Sequence, residues 1–320
     1  MNNGILYVVV PCYNEEEMLP ISAPILLKKL NKMIANRLIS EKSKIVFVDD
    51  GSADNTWPLI ESCCEKDMHY SAVKLSRNCG HQYALIAGME YAYRFADAII
   101  TIDADLQDDI DCFDKMMNGF YDGYDVVLGV RSSRKSDSFF KRNTAQLYYK
   151  LIRSFGVKAV YNHADFRLLS KRATKALLEH KENNVFLRGM ISLVGFKTMI
   201  VEYSRSARMA GSTKYPLKKM LSLAFDGITS FSIKPIRIIL GIGIATFLLS
   251  VFYIIYAIIG YMVNKTISGW ASTVISIWFF GSLQMISIGV IGEYLGKTYL
   301  ETKKRPKYFI ERIIEENDQK

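Results

Sequence analysis

Two stretches of 27 residues without a single charge, 238–264 and 266–292, are separated only by Lys265, and they constrain this chain more than any other feature. As helix, each would extend about 40 Å, more than the ~30 Å hydrocarbon core of a bilayer needs. A buried hairpin in a soluble core does not call for such length. The pattern predicts two membrane-spanning helices, at about 236–262 and 268–292, with the excess tilted or lying in the interface. Lys218, Lys219, Lys234 and Arg237 precede the pair, and Lys297, Lys303, Lys304, Arg305 and Lys307 follow it. Positive charge on both flanks predicts that both termini, and everything N-terminal to the pair, lie in the cytoplasm. The expected setting is therefore the cell (inner) membrane, crossed twice, with the turn at Lys265 outside.

Four units follow. Residues 1–210 form a cytoplasmic domain and 211–234 a juxtamembrane segment, in which Leu217, Leu221, Ala224, Phe225 and Ile228 recur at helical spacing beside Lys218 and Lys219. That pattern suits a helix on the inner leaflet or one packed on the domain. Residues 235–294 hold the two spans, and 295–320 form a basic cytoplasmic tail. Within the first unit, apolar β-rich runs at 6–10, 45–48, 71–75, 98–102 and 126–130 alternate with helical patterns at 15–36, 56–67, 81–94 and 110–121. Such alternation predicts an α/β domain with a mostly parallel sheet covered on both faces. The net charge of +9 is accounted for by membrane and phosphate, with no nucleic-acid motif. Cys12, Cys63, Cys64, Cys79 and Cys112 are odd in number and scattered, which predicts reduced thiols.

The run at 98–102 ends in Asp103-Ala104-Asp105. In an open α/β sheet, ligands gather beyond the carboxyl ends of the strands, and two unpaired carboxylates there are costly. A divalent cation carrying a substrate diphosphate resolves the cost, since Mg²⁺ needs only one or two protein carboxylates. Pro11-Cys12-Tyr13-Asn14-Glu15 closes the first strand, where a dinucleotide-binding protein would carry a glycine-rich turn; no Gly-x-Gly-x-x-Gly follows any predicted strand. Asp49-Asp50-Gly51-Ser52 ends the second with acceptors suited to a nucleotide's base and ribose, or with a plain helix cap. His69, His81, His163 and His180 lack ligand-like spacing and read as surface or turn residues, and Glu293 reads as the partner of Lys297.

Taken together these motifs resemble the family 2 glycosyltransferases of the GT-A (nucleotide-diphospho-sugar transferase) fold. The polyprenyl-phosphate branch, which includes dolichol-phosphate mannose synthases, is resembled through Arg77-Asn78-x-Gly80, Asp105-Leu106-Gln107-Asp108, Leu128-Gly129-Val130-Arg131, Arg208-x-x-Gly211-Ser212-x-Lys214-Tyr215 and Gly292-Glu293-Tyr294-Leu295-Gly296-Lys297. Asp165-Phe166-Arg167-Leu168 and Phe186-Leu187-Arg188-Gly189-Met190 look most like bactoprenol glucosyltransferases.

The resemblance implies a GT-A Rossmann-like sheet domain plus a two-helix transmembrane hairpin. It also implies inverting, metal-dependent transfer of a hexose, glucose from UDP-glucose first, onto undecaprenyl or another polyprenyl phosphate at the cytoplasmic leaflet. UDP-N-acetylglucosamine, GDP-mannose and aminoarabinose-type donors stay open. By the same resemblance Pro11, Tyr13, Glu15, Val48, Asp50, Asp103, Ala104 and Asp105 bind the donor, with Arg208 and Lys214 on its phosphates. Asp103, Asp105 and Gln107 hold Mg²⁺ or Mn²⁺, and Arg131 and Arg142 hold the acceptor phosphate. Asp165 joins Asp105 as a catalytic candidate, as general base, as positioner of sugar hydroxyls or as partner of an arginine; an acceptor phosphate with a second pKa near 6 needs little deprotonation. Gly241, Gly243, Gly281 and Gly289 would permit close helix packing in a homo-oligomer. Two rival readings stand beside this one: a processive polysaccharide synthase, whose Gln-x-x-Arg-Trp is missing here, and a non-catalytic membrane component that binds a nucleotide sugar.

Overall fold

The computed structural model describes residues 3–131, 163–180, 182, 187–204 and 269–315, with isolated positions between 236 and 255. Arg142, Arg208, Lys214, the 211–234 segment and most of the first expected span lie outside the described residues.

Eight strands form one sheet: β1 (Leu6–Cys12), β2 (Lys44–Asp49), β3 (Tyr70–Leu75), β4 (Ala98–Thr101), β5 (Val126–Arg131), β6 (His163–Ser170), β7 (Thr198–Tyr203) and β8 (Ile310–Ile314). Their order is β7-β5-β6-β4-β1-β2-β3-β8. β4, β1, β2 and β3 run parallel, as does β7 with β5, whereas β6 is antiparallel to both β4 and β5 and β8 is antiparallel to β3. The sheet is mostly parallel, as the alternation predicts, with β6 and β8 reversed. Helices α1 (Leu19–Ala35), α2 (Thr56–Lys66), α3 (His81–Ala92) and α4 (Cys112–Tyr121) connect or follow the first strands; α5 (Lys171–Leu178), α6 (Leu187–Val194) and α7 (Trp270–Thr302) come later.

Strand β1 is apolar at nearly every position because both of its faces are covered. Leu6, Val8 and Val10 pack with Leu26 and Leu30 of α1 and Phe113 of α4, while Tyr7 and Val9 pack with Ala84, Leu85 and Ala87 of α3. The seat of α3 is tight: a Cβ on Gly88 would press on Val9 and would lie 2.7 Å from Val48 Cγ2.

The tail departs from expectation. Residues 295–302 continue α7, and β8 completes the edge of the sheet instead of trailing as a separate basic segment. Ion pairs fasten it, Lys74–Glu311 at 2.9 Å and Arg312–Glu61 at 2.7 Å, while Ile313 and Ile314 pack against opposite faces of the core. The expected two-helix hairpin is not recovered, since among the described residues no helix is long and apolar enough to cross a membrane. Helix α7 covers most of the expected second span and runs on past 292 through a polar turn where Lys297 pairs with Glu293 at 3.6 Å, as expected. Farther up, α7 exposes large apolar side chains, among them Ile277, Phe279, Met285, Ile286 and Ile288.

Candidate active site

The strand order reverses at β1: the chain steps outward from β1 through β2 to β3, then returns to place β4 on the other side of β1. A crevice beyond the carboxyl ends of β1 and β4 follows from such a switch. The loop after β1 carries Tyr13 and Glu15, and the loop after β4 carries Asp103, Ala104, Asp105 and Gln107.

These loops are laced by side chains. Asn14, at φ 53, accepts from the Ala53 N–H at 2.9 Å, and its own N–H donates to Ser52 Oγ at 3.0 Å. The Glu15 N–H donates to Thr56 Oγ1 at 2.8 Å, and Glu16 caps Asn55. Asp50 is nearly fully buried and accepts from the N–H groups of Cys79 (2.7 Å) and Gly80 (2.9 Å), so its carboxylate holds the loop after β3. Burial nonetheless pushes its pKa up, against those two bonds. Gly51 makes this approach feasible. It sits at φ +67, and a Cβ there would collide with the Arg77 backbone and lie 2.5 Å from Asn78 N. Gly51→Ala should therefore cost about 2–4 kcal/mol, from the left-handed backbone and the collision together. A thermal melt of the purified variant checks this, and an unchanged midpoint would refute it.

Asp103 closes β4 with its carboxylate about a third exposed, 37%, yet its Oδ1 is buried without a hydrogen-bond partner. Burial pushes its pKa up to about 6; His81 works against this, and Asp165, Asp108 and Asp105 reinforce it. Leu106 adopts a left-handed conformation, φ 45, which turns the chain so that Gln107 N–H reaches Asp105 Oδ1 at 3.3 Å.

Asp165, on the reversed strand β6, is the electrostatic hub. Its carboxylate accepts from Arg167 Nη2, and from Arg188 through Nη2 at 2.9 Å and Nε at 3.3 Å. The pKa of Asp165 lies well below the usual carboxylate range: burial opposes this, but Arg188, His81 and Arg167 outweigh it. The structure thus realises the arginine-partner alternative for Asp165. A carboxylate held by two guanidinium groups is a weak base.

The sequence reads His81 as a surface or turn residue, and it is exposed, yet its imidazole also stands between the two carboxylates, with Nε2 3.5 Å from Asp103 Oδ1 and 3.6 Å from Asp165 Oδ2. Its place as the first residue of α3, just after Gly80, was the available signal. In the sequence Arg188, at the start of α6, stands only within a motif, and no local pattern marks Tyr203. Tyr203 ends β7, where it is in register with Arg131, and its hydroxyl donates to Asp108.

Among the donor candidates, Tyr13 is exposed while Val48, Pro11 and Ala104 are buried. The Val48 side chain lies in the core under α3, so only its backbone can meet a ligand. Among the described residues no three His, Cys, Asp or Glu side chains are grouped as a metal site. The orphaned, buried Asp103 Oδ1 beside Asp105 and Gln107 nevertheless fits a divalent cation that takes most of its ligands from phosphate and water.

Residues 7–178 match the family model "Glycosyl transferase family 2", and 234–298 match "GtrB C-terminal hairpin". The chain is 49% identical over 307 residues to the "Uncharacterized glycosyltransferase YkoT" of Bacillus subtilis, covering 96% of this chain and 91% of that one. It is 41% identical to the "Prophage bactoprenol glucosyl transferase homolog" of Escherichia coli K12, covering 96% and 98%. To the bactoprenol glucosyl transferase of Shigella phage SfX it is 39% identical, covering 95% and 97%.

Proposed function

Because this chain belongs to glycosyl transferase family 2, we propose that it moves a hexose from a nucleotide diphosphate onto a polyprenyl phosphate, with inversion at the anomeric carbon. Glucose from UDP-glucose onto undecaprenyl phosphate is the first choice, supported by full-length relatives named for bactoprenol glucosyl transfer. The observation that supports the reading is the crevice beyond β1 and β4, with the Asp103 carboxylate, whose Oδ1 makes no hydrogen bond, on one side and Arg131 behind the same turn.

In the reaction, an acceptor phosphate oxygen attacks C1 of the sugar as the bond from C1 to the donor's diphosphate oxygen breaks, releasing the nucleoside diphosphate. The acceptor oxygen is largely ionised at neutral pH, so no side chain must abstract a proton. Asp165 does not act as the base; with Arg167, Arg188 and His81 it holds the wall of the crevice in place. Asp103 and Asp105 with Gln107 would hold Mg²⁺ or Mn²⁺, which when bound would supply neutralisation for the leaving diphosphate. Tyr13 and Glu15 face the nucleotide, Arg208 and Lys214 clamp the donor phosphates, and Arg131 with Arg142 orients the acceptor.

The acceptor is a lipid, so the crevice works at the cytoplasmic face of the cell membrane, with 236–262 and 268–292 as the spans of the hairpin. The match of 234–298 to a C-terminal hairpin supports this, and so does β8, which brings the chain after α7 back to the catalytic sheet. A cysteine at Asn264 is expected to label with an impermeant thiol reagent from outside intact cells. One at Lys307 is not; the opposite pattern would reverse the topology.

The deciding assay uses purified full-length protein with undecaprenyl phosphate and separately labelled UDP-glucose, UDP-N-acetylglucosamine and GDP-mannose. Label should enter the lipid phase fastest from UDP-glucose. Faster transfer from another donor would replace the sugar, and no transfer from any would overturn the reaction.

A further inference from the structure

Arg131, Asp108 and Tyr203 come from three separate elements: the end of β5, the turn after β4 and the end of β7. They close a ring of hydrogen bonds. Arg131 Nε donates to the Tyr203 hydroxyl at 3.2 Å, Arg131 Nη2 donates to Asp108 Oδ1 at 3.3 Å, and the Tyr203 hydroxyl donates to that same Asp108 oxygen. Tyr203 and Asp108 are buried, at 3% and 4% exposure, whereas the Arg131 side chain is 24% exposed. The exposed member is thus gripped by two buried ones.

The grip has a frame. The Tyr203 ring stands edge-on to Phe166 of β6, centroids 5.3 Å apart, and Phe166 packs on Phe113 of α4 at 5.9 Å. Gly129 lets β5 lie against Phe166, whose carbonyl oxygen would be 3.0 Å from a Cβ there. Parallel pairing of β5 and β7 sets Arg131 opposite Tyr203. A guanidinium whose Nε and Nη2 are engaged has its plane fixed, and its Nη1–Nη2 edge is the one a phosphate can take in bidentate fashion.

The geometry points to Tyr203 and Asp108 as positioning residues that hold Arg131 ready for the acceptor's phosphate. This rests on the reading of Arg131 as an acceptor-phosphate ligand. It also divides the turn after β4 between two substrates: Asp103 and Asp105 serve the donor side, while Asp108 faces Arg131 and serves the acceptor.

The test measures equilibrium binding of undecaprenyl phosphate, and separately of UDP, to full-length protein in phosphatidylcholine nanodiscs. Arg131→Ala should weaken undecaprenyl phosphate binding about ten- to a hundredfold, the loss of a charge-assisted contact. Tyr203→Phe keeps the ring and its packing and should weaken it roughly three- to tenfold, with UDP affinity unchanged within about twofold. Asp108→Asn should behave in the same direction. In an Arg131→Ala background, Tyr203→Phe should add nothing, because the group it positions is gone. Wild-type lipid affinity in Arg131→Ala would overturn the phosphate assignment and this inference with it. A normal Arg131→Ala loss with Tyr203→Phe at wild-type affinity would overturn the inference alone. So would a Tyr203→Phe effect that multiplies with Arg131→Ala, or one that weakens UDP equally.

Discussion

Asp105→Asn is expected to lower turnover by about 10²- to 10⁴-fold while leaving the fold intact, because it removes one of two carboxylates that a divalent cation would take. The range corresponds to about 3–5 kcal/mol of transition-state stabilisation lost with the leaving diphosphate unneutralised. Chelator should do the same to the wild-type protein, and Mg²⁺ or Mn²⁺ should restore it. Through Asp103 a bound cation would also act on the stability of the fold. With Oδ1 buried and making no hydrogen bond, and with burial pushing the pKa up to about 6 against the opposing His81, the ionised carboxylate is disfavoured in a way that a cation would relieve. Thermal melts with and without Mg²⁺ should therefore show stabilisation of the wild type and much less of Asp105→Asn. Full turnover in excess chelator would sink the metal assignment.

Asp165→Asn should be the most destabilising of these changes, at about 3–5 kcal/mol, because it strands the guanidinium of Arg167 without its counter-charge in the interior. Arg167 is 1% exposed, and its Nη1 has no hydrogen-bond partner even in the intact protein. Activity should fall with the displaced wall of the crevice, yet the acidic limb of the pH–rate profile should persist. The sign of the shift requires this. A carboxylate whose folded pKa is lowered contributes stability that is fully present above its unfolded value of about 3.9 and is lost only as pH falls through the folded value. Asp165 is thus ionised throughout the working range, and a limb near pH 6 belongs to another group, either the acceptor phosphate or Asp103 with its pKa of about 6. A folded Asp165→Asn enzyme with normal substrate binding, no turnover and no acidic limb would restore the general-base role.

Much of this was legible in the chain. Strands β1 to β5 and helices α1 to α4 lie within a few residues of their predicted places, since an element buried on both faces must be apolar throughout. The start of α1 differs most, at Leu19 where the pattern suggests 15, because Asn14 to Glu16 are spent on lacing two loops together. β6 is not legible as a strand because Asp165 and Arg167 break its apolar run, and their charges cancel only when the folded strand brings them together. β7 and β8 are short edge strands with exposed positions, which carry a weak pattern.

The sequence by itself determined the α/β alternation, the carboxylates after β4 and the motifs shared with a glycosyltransferase family, since these depend on local periodicity and on residue order. Tertiary structure decided which of those groups meet. His81 stands between Asp103 and Asp165, residues 22 and 84 positions further along the chain, because α3 and β6 flank the switch point from different connections. The strand turns the Val48 side chain under α3, so that residue offers a ligand only its backbone, and Asp50 is taken up by backbone N–H groups that only the fold brings near. Proximity across a sheet is set by strand order and register, and neither is written in the spacing of residues along the chain.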